Sequence, residues 1–461
     1  MRLEDLQRQI LDDPILSKLS TLAKEEKISF YLVGGYLRDL LLGRHRKDYD
    51  FTFPGEAFSF LSVIEKAFHF HFFRVGKEET STYRIIKDEM SMDITPFQGR
   101  TIEEDLHRRD FTVNTLAYSL GDGTWHRIEG ALEDIQNRRI RAVSDHSIDH
   151  DPLRMLRAIR YLCTLKDFSI DEKLKEEISL KKEMILKIPS ERIKMELDRI
   201  LLSLRPNVGI KILYETGLLY VLLPEFRGLE ALGQDEHHHL NAFDHTLLAV
   251  EKISWAIEWM TLKQRPPLLS QEDLLCLCYA VLFHDIGKQD TYSKDERGKV
   301  HFYHHEKYSC LTAKRIMERL HFSNLMRERV LHLIQNHMRI LNLSREAKET
   351  ALKRLVHQIG DQTPLLVIHS LADKEASRGI LSCQNDEVVE GHCLHLSDLH
   401  REKEIIHPPA LITGYDVMAL GYSAGPKVGQ ILNLIRQKQV EGEIKTREEA
   451  LKVLREKFSL E

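Results

Sequence analysis

Cysteine is scarce and scattered in this chain of 461 residues: Cys163, Cys276, Cys278, Cys310, Cys383 and Cys393 form no Cys-x-x-Cys pair and no even framework. Their spacing offers neither a zinc site nor a disulfide scaffold, and they read as buried thiols. Long apolar runs are missing too. No window approaches the ~18 consecutive apolar residues of a membrane span. The opening Met1-Arg2-Leu3-Glu4-Asp5 begins an amphipathic helix rather than a signal peptide, so a cytoplasmic protein is expected, with no membrane as a partner. Nor is there a positive excess: 66 Lys and Arg against 71 Asp and Glu leave a net charge of −5. That excludes a uniform basic coat for nucleic acid, yet leaves room for a local basic groove, because binding follows how Lys and Arg cluster. No short tandem repeat is evident.

What is present is ordinary globular material, 42% hydrophobic and 30% charged. The length exceeds one ordinary core, so roughly two to four domains are expected. Histidine is plentiful, with 24 residues concentrated between His237 and His407.

The most telling pattern is Asp48 and Asp50, shortly after Gly34-Gly35-Tyr36-Leu37-Arg38-Asp39. In a strand, alternate residues share a face, so both acids point one way while Tyr49, Phe51 and Phe53 point the other. The result is a cation-binding ledge on an apolar backing. Residues 28–33 read as a buried strand, and the Gly pair lets backbone amides approach an anionic ligand. Strand, glycine turn, short helix over 37–42 and an Asp-x-Asp strand together describe a triphosphate site served by Mg²⁺. A Gly-Gly turn, or acids beside Arg46 and Lys47, is by itself common in solvated loops; the order of the pieces makes the pattern specific.

Strand-like stretches follow at 70–75 and 81–86. Met90-Ser91-Met92-Asp93-Ile94 alternates again, with Met90, Met92 and Ile94 on one face and Asp93 on the other. Asp93 could face Asp48 and Asp50 across the sheet, or stand as a surface acid on an edge strand. After Asp145 the pattern turns helical, as over 152–165, 190–204 and 271–283. Breaks are expected at 233–241 and at Ile405-Ile406-His407-Pro408-Pro409, where two prolines interrupt helix. The expected fold class is α+β: a head with a mixed sheet and helices over 1–143, an all-α neck over 144–232, a histidine-rich helical domain over 233–404 and a helical tail over 405–461.

Four ordered motifs run Leu32-Val33-Gly34-Gly35 through Arg38-Asp39, Asp48-Tyr49-Asp50-Phe51, Arg108-Arg109-Asp110-Phe111-Thr112-Val113-Asn114 and Asp151-Pro152-Leu153-Arg154-Met155-Leu156-Arg157. With these the chain resembles class II tRNA nucleotidyltransferases and bacterial poly(A) polymerases. Ser190-Glu191-Arg192-Ile193 with Glu196-Leu197, then Gly414-Tyr415-Asp416 and Glu441-Gly442-Glu443-Ile444-Lys445-Thr446-Arg447, extend the resemblance over nearly the whole length. It implies template-independent addition of C, as CC or CCA, to the 3′ acceptor end of tRNA from CTP and ATP. Asp48 and Asp50 would be the catalytic pair holding two Mg²⁺ ions, which activate the RNA 3′-hydroxyl and neutralise the triphosphate. Gly34 and Gly35 would cradle phosphates, while Arg38 and Asp39 would lock the turn or contact triphosphate oxygens. Arg108 and Arg109 suit phosphate and ribose contacts, because guanidinium forks pair bidentately with anionic oxygens. Asp110 and Asn114 would lie against the incoming sugar, and Arg157 belongs to the same nucleotide-binding set.

Asp151 before Pro152 also reads as a plain helix cap, with Arg154 about a turn away. As an acceptor beside a two-pronged donor, the pair complements cytosine and adenine, which present an amino group next to an unprotonated ring nitrogen; uracil and guanine would leave buried groups unpaired. It matches the family's base-reading motif, with His150 where a glutamate usually leads. A second departure is the terse segment Thr95-Pro96-Phe97-Gln98-Gly99-Arg100-Thr101. Members with a shortened segment there add only the two cytidines and leave adenosine to a separate A-adding enzyme.

Asp244-His245-Thr246, Phe283-His284-Asp285-Ile286-Gly287-Lys288, His304-His305-Glu306, Asn336-His337 and Asp373 resemble the HD phosphohydrolase superfamily. The resemblance implies His245, His284, Asp285 and Asp373 as metal ligands, with His305 and His337 as additions for a second ion. Imidazoles with carboxylates suit Mn²⁺, Ni²⁺ or Fe²⁺ better than Mg²⁺ alone. His237, His238 and His239 read as a solvated linker. Candidate RNA contacts are Arg192, Lys194 and Arg199 in the neck and Lys427, Arg436, Lys438, Lys445 and Arg447 in the tail; each run alone is an ordinary solvated face. Three rivals stay open: a poly(A) polymerase using ATP alone, an HD phosphohydrolase whose head only positions RNA, and a non-catalytic RNA-binding module.

Overall fold

The computed structural model describes residues 3–44, 47–55, 58–76, 81–87, 90–233, 240–377 and 383–458. Arg46 and the run His237, His238 and His239 lie outside the described residues. The chain forms two compact units, one of residues 1–196 with 212–221, the other of 197–211 with 222–461.

The first unit holds a seven-stranded sheet of β1 (Tyr31–Val33), β2 (Asp48–Phe53), β3 (Phe73–Val75), β4 (Thr82–Lys87), β5 (Met90–Pro96), β6 (Leu116–Ser119) and β7 (Trp125–Arg127), in the order β3-β4-β5-β2-β1-β6-β7. Every pairing is antiparallel except β2 with β5. The alternation expected of β2 holds: Asp48 and Asp50 are exposed, and Tyr49, Phe51 and Phe53 are buried. Behind the acids, Phe30 stacks on Phe51 at 4.9 Å and meets Phe60 edge-on at 5.1 Å. A slip of one residue would drive both carboxylates into these rings, so the aromatic face sets the register. Met92 and Ile94 are buried on the same side, which turns Asp93 to the face of the acids, directly opposite Asp50.

Local boundaries differ from the expected ones for identifiable reasons. The helix after β1 is Gly35–Leu41, two residues earlier than expected, because Gly34 adopts φ +71° and closes the turn at once. The helix expected from 152 begins at Arg154, since the Asp151 carboxylate captures the Leu153 amide at 3.2 Å. Ser190–Leu201 stops short of 204 ahead of Pro206, which disfavours helix in the residue before it.

Among the described residues the second unit is helical apart from the short hairpin of Ser293–Lys294 with Val300–His301. Ala242–Leu262 packs along Thr363–Ala376, and Gln271–Phe283 against Asn324–Asn336. Asn241, Ser270 and Ser323 cap three of these helices with side-chain oxygens. The residues after Pro408-Pro409 fold on their own apolar cluster, including Val417, Ile431, Ile435 and Leu454. Among the described residues no helix is long and apolar enough to cross a membrane.

Candidate active site and candidate metal centre

A cavity of about 470 Å³ opens on the acidic face of the sheet, with Gly34, Gly35, Asp50, Asp93, Arg108 and Arg109 among the residues lining it. Asp48 accepts a hydrogen bond from Ser91 Oγ at 2.7 Å. Asp93 is held by both prongs of Arg84, at 2.6 Å each. Asp50 faces the cavity yet is crowded by protein on its other sides. That burial lifts its carboxyl to about 6, with Asp93 and Asp48 adding to the rise while Arg109 and Arg38 oppose it. Three acids on one face, one of them unwilling to ionise alone, fit a divalent cation. The glycines fit their setting as well: a Cβ on Gly34 would meet Arg109 Nη1 at 3.0 Å, and one on Gly35 would sit 3.8 Å from Asp50 Oδ2.

One buried relay joins three of the sequence motifs. Asp110 Oδ2 accepts from Arg157 Nε at 2.9 Å and Nη2 at 2.5 Å, while its Oδ1 accepts from the Phe111 amide at 2.8 Å and from Asn114 Nδ2 at 2.9 Å. Asn114 Oδ1 in turn accepts from Arg38 Nη1 at 2.5 Å, and Arg38 Nε donates to Asp39 at 3.0 Å. Burial opposes the Asp110 charge, but Arg157 and the two donors prevail and hold its carboxyl at about 2. Arg38 and Asp39 are both buried and off the cavity surface, so of the two roles expected for them the geometry is that of locking the turn. Arg109 is tied to Asp105 at 3.0 Å, and Arg108 is exposed at the rim.

Asp151 and Arg154 both line the cavity without bonding each other. Arg154 donates to Ser147 Oγ at 2.8 Å and to the Arg108 carbonyl at 2.5 Å, while Asp151 Oδ2 lies 3.3 Å from Arg192 Nη2. Sequence reasoning missed Tyr161, which also lines the cavity; Arg38, Arg157 and Arg160 lie over its ring at 5.2, 5.9 and 4.3 Å. The signal was available, because Arg157 and Tyr161 are four apart on one helix. Arg84 carried no such signal, since only strand pairing brings it opposite Asp93.

The second unit assembles its histidines and acids as buried side chains. His245, His284 and Asp373 form one trio of donors and Asp285, His305 and His337 another, all buried, each with its ligand atoms within 4.8 Å. His245 Nε2 lies 3.0 Å from Asp373 Oδ1, and His305 Nε2 is 3.3 Å from Asp285 Oδ1. The Gly287 turn makes this possible: a Cβ there would fall 2.3 Å from the Ser309 amide nitrogen, so only glycine lets the two backbones approach. Backbone carbonyls of Val281, Phe302 and Ile334 accept from Nδ1 of His284, His305 and His337 at 2.7, 3.0 and 2.7 Å, which aims each Nε2 lone pair inward. His305 Nε2 and His337 Nε2 thereby face each other at 3.1 Å as two acceptors, a contact that a shared cation makes favourable. Burial keeps His305 below the usual imidazole range and His337 at about 3, the neutral form that binds metal. His369, absent from the sequence expectations, is buried against this cluster.

Among the candidate RNA contacts, Arg192 is paired with Asp151, Lys438 with Glu443 and Arg447 with Asp416.

Residues 30–141 match the family described as "Poly A polymerase head domain", 167–229 "Probable RNA and SrmB- binding site of polymerase A", and 240–377 "HD domain". The chain is 34% identical to a CC-adding tRNA nucleotidyltransferase of Thermus thermophilus, over 91% of each chain. It is 31% identical to an A-adding tRNA nucleotidyltransferase of Deinococcus radiodurans, over 91% of this chain and 93% of that one. In fold it is similar to the Bacillus stearothermophilus CCA-adding enzyme in complex with CTP, with a TM-score of 0.65, 22% identity and coverage of 96% and 98%.

Proposed function

This chain belongs to the tRNA nucleotidyltransferase family, and from that premise we propose that it transfers CMP from CTP to the 3′ end of tRNA, building the two cytidines of the terminal trinucleotide. The observation that carries the reading is the buried relay of Arg157, Asp110, Asn114 and Arg38, which ties the glycine turn, the Arg-Arg-Asp segment and the base-reading helix around one acidic cavity. A poly(A) polymerase is not favoured, since the relatives matched over most of the chain act on tRNA by name.

Asp48 and Asp50, with Asp93 braced by Arg84, would hold Mg²⁺, which activates the attacking 3′-hydroxyl and offsets triphosphate charge. Arg108 and Arg109 bind phosphate oxygens at the rim, and the Gly34 and Gly35 backbone approaches them closely. Asn114 and Asp110 present a fixed polar surface to the ribose. Arg154, pinned by Ser147 and the Arg108 carbonyl, offers its guanidinium edge to the ring nitrogen and carbonyl of cytosine, and Asp151 accepts from the amino group. Selection against uracil then follows from leaving Asp151 without a donor. Restriction to cytidine is supported by the short segment after β5, which is pinned by hydrogen bonds from the Gln98 amide to Asp105 and the Arg100 amide to Glu104. The test is to sequence the products formed from truncated tRNA with CTP, with ATP and with both. Two cytidines from CTP and nothing added by ATP is the expected result; addition of adenosine alone would make this an A-adding enzyme.

The second centre is proposed to hold Mn²⁺, Ni²⁺ or Fe²⁺ and to hydrolyse phosphoesters, a reading supported by its four buried imidazoles and two buried carboxylates. Replacing His284 and Asp285 should abolish any such hydrolysis and spare cytidine addition.

A further inference from the structure

His369 precedes Asp373 by four residues on the helix Thr363–Ala376, so the two side chains share a face. Its ring is fully buried, and neither Nδ1 nor Nε2 has a hydrogen-bond partner among the described residues. The ring centre lies 5.2 Å from that of His284, edge-on, and 5.6 Å from that of His337, nearly parallel. Buried histidines ordinarily give at least one ring nitrogen to a partner, as His284, His305 and His337 do through backbone carbonyls, and His369 does not. Two orphaned nitrogens in a sealed site are costly unless something else occupies their lone pair or proton.

We propose that His369 is an additional nitrogen ligand of the metal centre in the second unit, raising its imidazoles from four to five. The inference rests on reading that centre as a metal site. His369 and Asp373, one turn apart, repeat the arrangement by which a single helix face supplies two donors to one ion. A set so rich in nitrogen takes Mn²⁺, Fe²⁺, Co²⁺ or Ni²⁺ in preference to Mg²⁺.

The experiment uses the full-length chain, metal-free and then titrated with Mn²⁺ or Co²⁺ alone, as wild type, His369→Phe and His369→Gln. His369→Phe removes both orphaned nitrogens, so its metal-free form should unfold at or above the wild-type temperature. Its Mn²⁺ affinity should fall by about 10-fold or more, and the Co²⁺ absorption spectrum should change. His369→Gln keeps a polar group of similar reach, should lose affinity likewise, and decides the matter if the Phe variant does not fold. Wild-type affinity and an unchanged Co²⁺ spectrum in a folded variant would overturn the proposal. So would a destabilised metal-free variant with unaltered affinity, the signature of packing. A wild type that takes up neither ion removes the metal reading itself, before any variant is compared. Cytidine addition, performed by the other unit, serves as the control for intact folding.

Discussion

In the first unit the carboxylates stand on a strand at the floor of an open cavity, surrounded by arginines and reachable by a large anionic substrate. In the second they are closed in with imidazoles, and no described arginine joins them. Both gather acids, but guanidinium groups face the first set, Arg84 on Asp93 and Arg109 and Arg38 near Asp50, whereas the second is enclosed by imidazoles, with Lys288 2.7 Å from Asp285. The lesson is that burial and the kind of neighbour, more than the presence of aspartate, distinguish the site proposed for a metal-bound triphosphate from the proposed second metal centre.

That contrast can be broken experimentally. The largest effect is expected from Asp48→Ala or Asp50→Ala, each of which should lower cytidine addition by about 1,000-fold or more with the fold intact; residual addition near wild type in a primer-extension assay would refute the assignment. Next comes Asp110→Ala, which leaves Arg157 and Asn114 unpaired and should cost about 3 kcal/mol in denaturant unfolding of the first unit, as well as activity. Arg154→Ala should narrow the preference for CTP over UTP by roughly 10- to 100-fold while tRNA binding changes little; undiminished selectivity would remove the base-reading role. A chelator should lower the unfolding temperature of the second unit more than that of the first. The smallest effect is electrostatic. Asp110, held at about 2, contributes stability that is complete above pH ~4 and lost as pH falls toward ~2. Metal-free Asp50, lifted to about 6, acts in the opposite sense: it takes stability away as pH rises from ~4 to ~6, so Asp50→Asn should flatten that slope in a pH series of melts.

Much of the first site was legible because its parts depend on local chemistry. The two-residue period of Asp48 and Asp50 against Tyr49, Phe51 and Phe53, and the capture of a backbone amide by Asp151, need only neighbouring residues. The relay from Arg157 through Asp110 and Asn114 to Arg38 was not legible as a relay, because its members are up to 119 positions apart and meet only after the sheet and helix have packed. Arg84 escaped notice for the same reason, and so did His369: a lone histidine in an apolar helix looks like core until its neighbours are known.

Sequence alone therefore determined the kinds of chemistry present: the paired acids, the glycine turn, the arginine forks and the histidine–aspartate doublet. Their periodicity and order are properties of the chain itself. Tertiary structure decided which groups are spent and which are available. It buried Arg38 against Asp39, braced Asp93 with Arg84, left Arg108 at the rim and closed five imidazoles together, because solvent access and partner distance arise only when segments remote in sequence pack against one another.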